Sequence, residues 1–165
     1  MLNYVWISLL LIGIFTAIGR DINDEVVNTY RNGIPVPASF ENKKQIPSLH
    51  PSFELEIIIS SAAFNQFYHT ASTQSDIRQP AKLTTLSSGK QKIELPISDG
   101  TPQFWKDMAK AAGGKDKLEA EVISFDPDKN EIVFIMEKVS YVKIKAVTKA
   151  AIDFADTAVT ISLGL

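Results

Sequence analysis

The longest apolar stretch of the chain runs from Leu2 to Gly19 and contains no Asp, Glu, Lys, Arg or His. As an α-helix it would rise roughly 27 Å, close to a hydrocarbon core of about 30 Å. No basic residue precedes it, which favours a retained span over a cleaved signal peptide, although Ala17-Ile18-Gly19 resembles a cleavage site. The small polar residues Ser8 and Thr16 can bond back to their own helix. We therefore predict a transmembrane helix and interfacial turn over residues 1–29.

Prolines crowd the following segment. After the turn signal Asn32-Gly33 the chain contains Pro35, Pro37, Pro47 and Pro51. Proline removes a backbone donor and is disfavoured in helices and central strands. The composition therefore predicts an extended Pro-rich linker over residues 30–52.

From Phe53 onward the pattern changes to alternation. Phe53, Leu55, Ile57 and Ile59 share one face of a predicted strand. Apolar runs on either side of Ser88-Gly89 predict one hairpin, and those flanking residues 126–130 predict another. We expect a small β-rich α+β domain over residues 53–140.

Two segments of this domain do not follow the alternation. Residues 102–114 predict a short helix that Asp99 or Thr101 can cap and that stops at Gly113-Gly114. Residues 61–69 fit a helix or a strand, and the pattern does not choose between them. The predicted domain therefore contains at least one helix among its strands.

Apolar residues recur at steps of three and four near the end of the chain. They are Ile144, Val147, Ala151, Phe154, Ala158, Ile161 and Leu165. The charged residues lie off this stripe and stop at Asp156, and Lys149 and Asp153 have the i,i+4 spacing of an ion pair. This pattern predicts an amphipathic helix over residues 141–165, which lies at an interface or leads toward a further membrane segment.

Composition excludes several classes of function. The 165 residues carry a formal net charge of −2 and a pI of about 5.7, so a nucleic-acid partner is not expected. The absence of cysteine excludes disulfides, thiolate catalysis and Cys-based zinc sites.

One set of acidic residues has the spacing of calcium ligands. Asp126, Asp128, Asn130 and Glu137 match oxygen-ligand positions of an EF-hand loop. The position that requires glycine is Glu131, however, and the flanks have strand patterns where the motif requires helices. A β-turn is therefore the favoured interpretation.

The other candidates for chemistry each lack a required partner. His50 and His69 have no carboxylate at ligand spacing, and the segment Gly113-Gly114-Lys115 lacks the remainder of a phosphate-binding loop. The serines lack a nucleophile-elbow setting; they are Ser60, Ser61, Ser87 and Ser88. Phe104 and Trp105 fit core packing better than an exposed contact. We predict no catalytic, cofactor-binding or metal-binding residue and a non-enzymatic protein.

Two separated stretches carry a likeness to a known family. The first 28 residues, with Gly19-Arg20-Asp21 and Asp24-Glu25-Val26, resemble the first span and turn of spore maturation protein A. The last 24 residues resemble the amphipathic helix that follows directly in that family. The resemblance implies a membrane protein of the nucleoside-recognition (gate) domain type, in bacteria, with residues 30–140 as an insertion. Together with the patterns above, the expected fold is α+β: an N-terminal transmembrane helix, a small β-rich inserted domain and a C-terminal amphipathic helix.

Two hypotheses about function follow. The first is an integral membrane protein of the spore maturation and nucleoside recognition type, with the inserted domain attached. The alternative is a single-span anchored binding or structural module whose β-rich domain contacts a partner. Expected partners are the lipid bilayer and either a membrane protein or a second copy of the chain. The expected location is the cell membrane; Lys and Arg follow the span, which favours a cytoplasmic inserted domain, but long insertions follow this rule weakly and both sides stay open.

Overall fold

The computed structural model describes residues 2–41, 52–71, 73–113 and 116–163, without the side chains of Leu2, Asn3 and Trp6. The chain divides into two compact units, which we call the helical unit (Met1–Asn28 and Ser140–Leu165) and the barrel unit (Thr29–Val139). In chain order the elements are α1 (Leu2–Val27), β1 (Val36–Glu41), β2 (Ser52–Ile59), α2 (Ser61–Tyr68), β3 (Ile77–Thr85), β4 (Gln91–Pro96), α3 (Gln103–Ala111), β5 (Lys117–Asp126), β6 (Glu131–Met136) and α4 (Val142–Leu163).

Asp21 joins the two helices of the helical unit. Its carboxylate accepts hydrogen bonds from the backbone N–H groups of Lys143 and Ile144, each at 2.8 Å. The first N–H groups of a helix have no intrahelical acceptor, so Asp21 on α1 acts as the N-cap of α4. Asp21 and Ala17, one turn apart, are both buried. The first turn of α4 is therefore fixed to the second half of α1.

No helix among the described residues combines the length and apolar character that a membrane crossing requires. The predicted span includes Leu2, Asn3 and Trp6, whose side chains lie outside the described part. The transmembrane helix over residues 1–29 therefore stays a prediction.

The strands of the barrel unit form a closed six-stranded barrel. Each strand pairs antiparallel with the next in sequence, and β6 pairs with β1 to complete the circle. Both predicted hairpins, β3–β4 and β5–β6, are confirmed. The interior is filled by side chains without solvent exposure: Ile57, Leu83, Ile93, Leu95, Ile132 and Phe134. A filled interior leaves only the ends and the outer wall of the barrel for ligands.

Both helices of the barrel unit lie at one end of the barrel. α2 joins the end of β2 to the start of β3, and α3 joins the end of β4 to the start of β5. The side chain of Asn32 bonds both the N–H and the C=O of Val139, at 2.9 and 2.8 Å. The first and last segments of the barrel unit therefore lie side by side.

The sequence predicted a linker over residues 30–52, and this is wrong for Val36–Glu41, which form strand β1. The N–H of Phe40 bonds to Asn130 at the start of β6, so by alternation Pro37 faces β2. The β1–β2 pairing begins only at Ser39. Pro37 therefore lies where no partner needs its missing N–H. Residues 42–51, with Pro47 and Pro51, lie outside the described part.

The ambiguous segment 61–69 forms helix α2 over Ser61–Tyr68. Ser60 is its N-cap and accepts a bond from the N–H of Ala63 at 3.2 Å. Phe64 and Tyr68, one turn apart, are its buried residues. Capping and spacing together select the helix over the strand.

Candidate functional site

Three of the residues with calcium-ligand spacing, Asp126, Asp128 and Asn130, lie at a turn between β5 and β6, which confirms the favoured interpretation. Glu137 follows the far end of β6. The carboxylate of Asp126 accepts bonds from the backbone N–H groups of Asp128 and Lys129, at 3.1 and 3.2 Å. These bonds, chiefly the one from Lys129, hold the pKa of Asp126 below its ordinary value. Across the described residues, no group of three or more acidic or histidine side chains is placed to bind a metal ion.

The histidine and serine candidates do not meet in one site. His69 Nε2 hydrogen-bonds the guanidinium of Arg31, whose Nε donates to the carbonyl of Phe67 at 2.7 Å. Ser60 is engaged at the opposite end of α2, so the helix separates the two. His50, Gly114 and Lys115 lie outside the described residues. The structure therefore does not bring Ser60 and His69 together as a nucleophile and a base.

Trp105 belongs to the core, as predicted, and lies in an aromatic cluster at the helical end of the barrel. Its side chain has no solvent exposure, and its Nε1–H donates to the hydroxyl of Tyr68 at 3.1 Å. Phe64 packs edge-on against Trp105 with ring centroids 5.5 Å apart. Burial raises the pKa of Tyr68 to about 12, although the Trp105 bond works in the opposite direction.

The raised pKa of Tyr68 predicts a loss of stability at high pH. In the unfolded chain tyrosine ionises near pH 10, whereas the folded protein holds this proton to about pH 12. The contribution of Tyr68 to the free energy of unfolding, up to about 2–3 kcal/mol, is complete below pH 10 and is lost as the pH rises toward 12. Denaturant unfolding at pH 9, 10, 11 and 12 checks this. Tyr68→Phe should remove the part of the pH dependence of the free energy of unfolding that comes from Tyr68 and leave the part that comes from the exposed lysines. An unchanged pH dependence in this variant would contradict the role of Tyr68.

Two prolines face each other across β3 and β4. The N–H of Leu86 donates to the carbonyl of Lys90 in the same hairpin, and the N–H of Ile97 donates to the carbonyl of Asp116, immediately before β5. By alternation Pro80 therefore faces β4 and Pro96 faces β3, in the same register as the pair Lys82–Glu94. Neither residue has an N–H to donate. The β3–β4 ladder must therefore end here and leave a gap in the barrel wall, which we call the proline gap.

Gln79 closes the inner side of the proline gap. Its side-chain amide donates to the carbonyls of Pro96 at 2.5 Å and of Pro80 at 3.5 Å. Its oxygen accepts from the hydroxyl of Thr101 at 2.9 Å, and that hydroxyl accepts from the N–H of Ser98 at 2.9 Å. The prediction that Asp99 or Thr101 caps α3 is wrong, because Pro102 is its N-cap without a side-chain bond and the Thr101 hydroxyl is used in this network. Gln79 and Thr101 are both buried, so the network replaces ladder bonds that proline cannot form.

A cavity of about 440 Å³ covers the outer side of the proline gap. Leu55 and Ala81 contribute apolar surface, and the charged lining residues are Glu54, Lys82, Glu94, Asp116 and Lys117. Lys117 pairs with Glu94 at 2.7 Å, which raises the pKa of Lys117. The cavity has the size of a small-molecule site and offers charges of both signs. It can bind and orient a polar molecule, and the described residues that line it include no serine, threonine, cysteine or histidine.

The helical unit exposes a second kind of surface. Leu9, Leu10, Leu11 and Ile12 are consecutive, and each is 45–61% exposed. Successive helix residues are rotated by about 100°, so these four side chains point in directions distributed around α1. Thr16 donates its hydroxyl to the carbonyl of Ile12 at 2.7 Å, which confirms the predicted bond to its own helix.

Comparison with models of protein families, with curated proteins and with solved structures found no match to this chain. The resemblance to spore maturation protein A therefore stays a prediction. Sequence reasoning missed the proline gap and Gln79. The signal was present in part, because Pro80 precedes the first arm of the predicted hairpin and Pro96 ends the second, at positions equally distant from Ser88.

Proposed function

We propose that this chain is a non-enzymatic integral membrane protein in which α1 anchors the barrel unit at a lipid bilayer. The observation that carries the proposal is the exposure of four consecutive large apolar residues, Leu9 to Ile12. Burying each such side chain away from water is worth about 1.5–3 kcal/mol. A helix that is apolar all round requires an apolar surrounding on every side, and hydrocarbon supplies one.

Charge and hydrogen bonding on α1 support the same proposal. No charged side chain precedes Arg20. The hydroxyl of Thr16 is satisfied within the helix, which lowers the cost of transferring it to lipid. The first half of α1 therefore presents few polar groups that would oppose insertion.

The grouping of the helices supports a relation to the spore maturation and nucleoside recognition family. The resemblance rests on the first 28 and last 24 residues, and residues 1–28 and 140–165 form one compact unit. Asp21, which belongs to the family-like turn, caps α4. Two stretches that are distant in sequence thus share a structural contact, as expected if they descend from one continuous membrane segment.

The proline gap favours the second hypothesis, an anchored binding module. Its cavity offers a place for a polar ligand on the barrel wall. The two hypotheses differ in whether the reading frame continues past Leu165 into further apolar spans. Continuation favours the membrane protein of the family type, and a stop codon favours the anchored module.

The membrane proposal is tested by placing a charge at the centre of the apolar run. Arg at the centre of a span costs about 2.5–3.5 kcal/mol, so we expect Leu10→Arg to move most of the protein from the carbonate-resistant membrane pellet to the supernatant. The matched control is Ser39→Arg, which adds the same charge on an exposed residue of β1 and should stay in the pellet. Recovery of the unaltered chain in the supernatant without detergent would overturn the proposal.

A further inference from the structure

Most of α4 does not pack against any other described part of the chain. Every residue from Thr148 to Leu163 is exposed, whereas Ile144 and Val147 near the start of the helix are partly covered. An isolated helix of mixed composition is marginal in water, because most helical stability in proteins comes from packing of an apolar face. The exposed part of α4 therefore needs a surrounding that the described residues of the chain do not provide.

The exposed part has two distinct faces. At 100° per residue, Ala151, Phe154, Ala158 and Ile161 fall within about 80° of one another. Lys143, in the first turn of α4, falls on the side of the apolar residues. The charged residues after it fall on the opposite side of the helix, again within about 80°; they are Lys145, Lys149, Asp153 and Asp156. Lys149 and Asp153 pair along this charged face at 3.4 Å, as predicted. α4 is thus amphipathic, with a narrow charged face and a broad apolar face.

The apolar face continues the face that already packs within the helical unit. Ile144 and Val147 lie on the same stripe as Phe154 and Ile161 and are partly covered where Asp21 fixes the helix to α1. Ser162, the polar residue nearest this stripe, donates its hydroxyl to the carbonyl of Ala158 at 2.7 Å. The stripe therefore remains effectively apolar as far as Leu163.

We propose that α4 lies along the bilayer surface, with Phe154 and Ile161 in the boundary between headgroups and acyl chains. This inference rests on the proposed membrane anchoring by α1. The charged face extends from Lys145 to Asp156, about 17 Å of helix, and a crossing orientation would place these charges in hydrocarbon. Along the surface they remain in water, and Lys145 and Lys149 can reach anionic lipid headgroups.

The absence of cysteine allows single-cysteine spin labelling of the full chain. The protein is reconstituted in vesicles of phosphatidylcholine and phosphatidylglycerol, and each label is tested for collision with oxygen and with a water-soluble nickel chelate. The stripe variants are Phe154→Cys, Ala158→Cys and Ile161→Cys; the matched variants on the charged face are Lys149→Cys and Asp156→Cys. Leu10→Cys reports on α1 alone.

If α4 lies along the bilayer surface, all stripe labels should lie at one shallow depth, about 5–10 Å below the headgroups, and the charged-face labels should be accessible to the nickel chelate. A depth that increases steadily from position 154 to 161 would show a crossing helix and overturn this orientation. If the spectra of the stripe labels are broadened by one another and the labels are protected from both reagents, a second copy of the chain covers this face. That result would also overturn the surface orientation of α4. A nickel-accessible label at position 10 would instead contradict the anchoring by α1, which separates failure of the proposed function from failure of this inference.

Discussion

Gln79→Leu is expected to lower the free energy of unfolding of the barrel unit by about 2–4 kcal/mol. Leucine fills a similar volume but leaves the Pro96 carbonyl and the Thr101 hydroxyl without the bonds they now make with Gln79. A buried donor or acceptor that loses its partner costs about 1–3 kcal/mol. This variant removes the donor to the Pro96 carbonyl and the acceptor of the Thr101 hydroxyl, which keeps its bond from the N–H of Ser98. Because Pro80 faces Pro96, no backbone N–H is available there to replace the lost donor.

Native-state hydrogen exchange measures this effect on the barrel alone. The backbone amides of Ile93 and Leu95 lie between β3 and β5 on a central strand, and we expect their exchange to accelerate roughly 30- to 700-fold. The control is Arg78→Leu, the adjacent residue on the outer face, whose ion pairs with Glu41 and Glu56 are exposed. Such pairs contribute at most about 1 kcal/mol. Equal acceleration in the two variants would show that the Gln79 network has no special role.

Local patterns in the sequence predicted much of the barrel but not its closure. Alternation placed Leu55, Ile57 and Ile59 on one buried face, and turn residues marked the two hairpins. The pairing of β1 with β6 joins residues about a hundred positions apart, and no short-range pattern encodes it. Pro37, one of the prolines that suggested a linker, is tolerated in β1 because it lies before the β1–β2 pairing begins.

The candidate site was hidden for a similar reason. Pro80 and Pro96 are conspicuous one at a time, but their effect depends on facing each other across a ladder. By residue type, Gln79 is an ordinary polar residue before a proline. That position 79 points inward follows only from its alternation with Ile77, Ala81 and Leu83. The role of Asp21 could not be predicted for the same reason, because its carboxylate accepts bonds from α4 only where the fold brings the start of α4 beside it.

Trp105→Ala is expected to destabilise the barrel unit by about 3–5 kcal/mol, the usual cost of truncating a fully buried aromatic side chain. Trp105 has no solvent exposure and contacts Phe64 within the cluster that closes the helical end of the barrel. Trp105→Phe keeps most of the apolar contact but removes the donor to the Tyr68 hydroxyl. Its expected cost is about 1–2 kcal/mol, close to that of one hydrogen bond plus a small cavity.

The contribution of the Trp105–Tyr68 bond is isolated by a double-mutant cycle. Hydrogen exchange at Ile93 and Leu95 in Trp105→Phe, Tyr68→Phe and the double variant should give a coupling energy of about 1 kcal/mol. The Trp105 bond lowers the pKa of Tyr68 against the larger effect of burial, so Trp105→Phe should raise that pKa further. A cycle without coupling, together with an unmoved tyrosine titration, would mean that the two groups only pack against each other. Both changes together would show that the Trp105–Tyr68 bond lowers the pKa of Tyr68 and fixes α3 against α2.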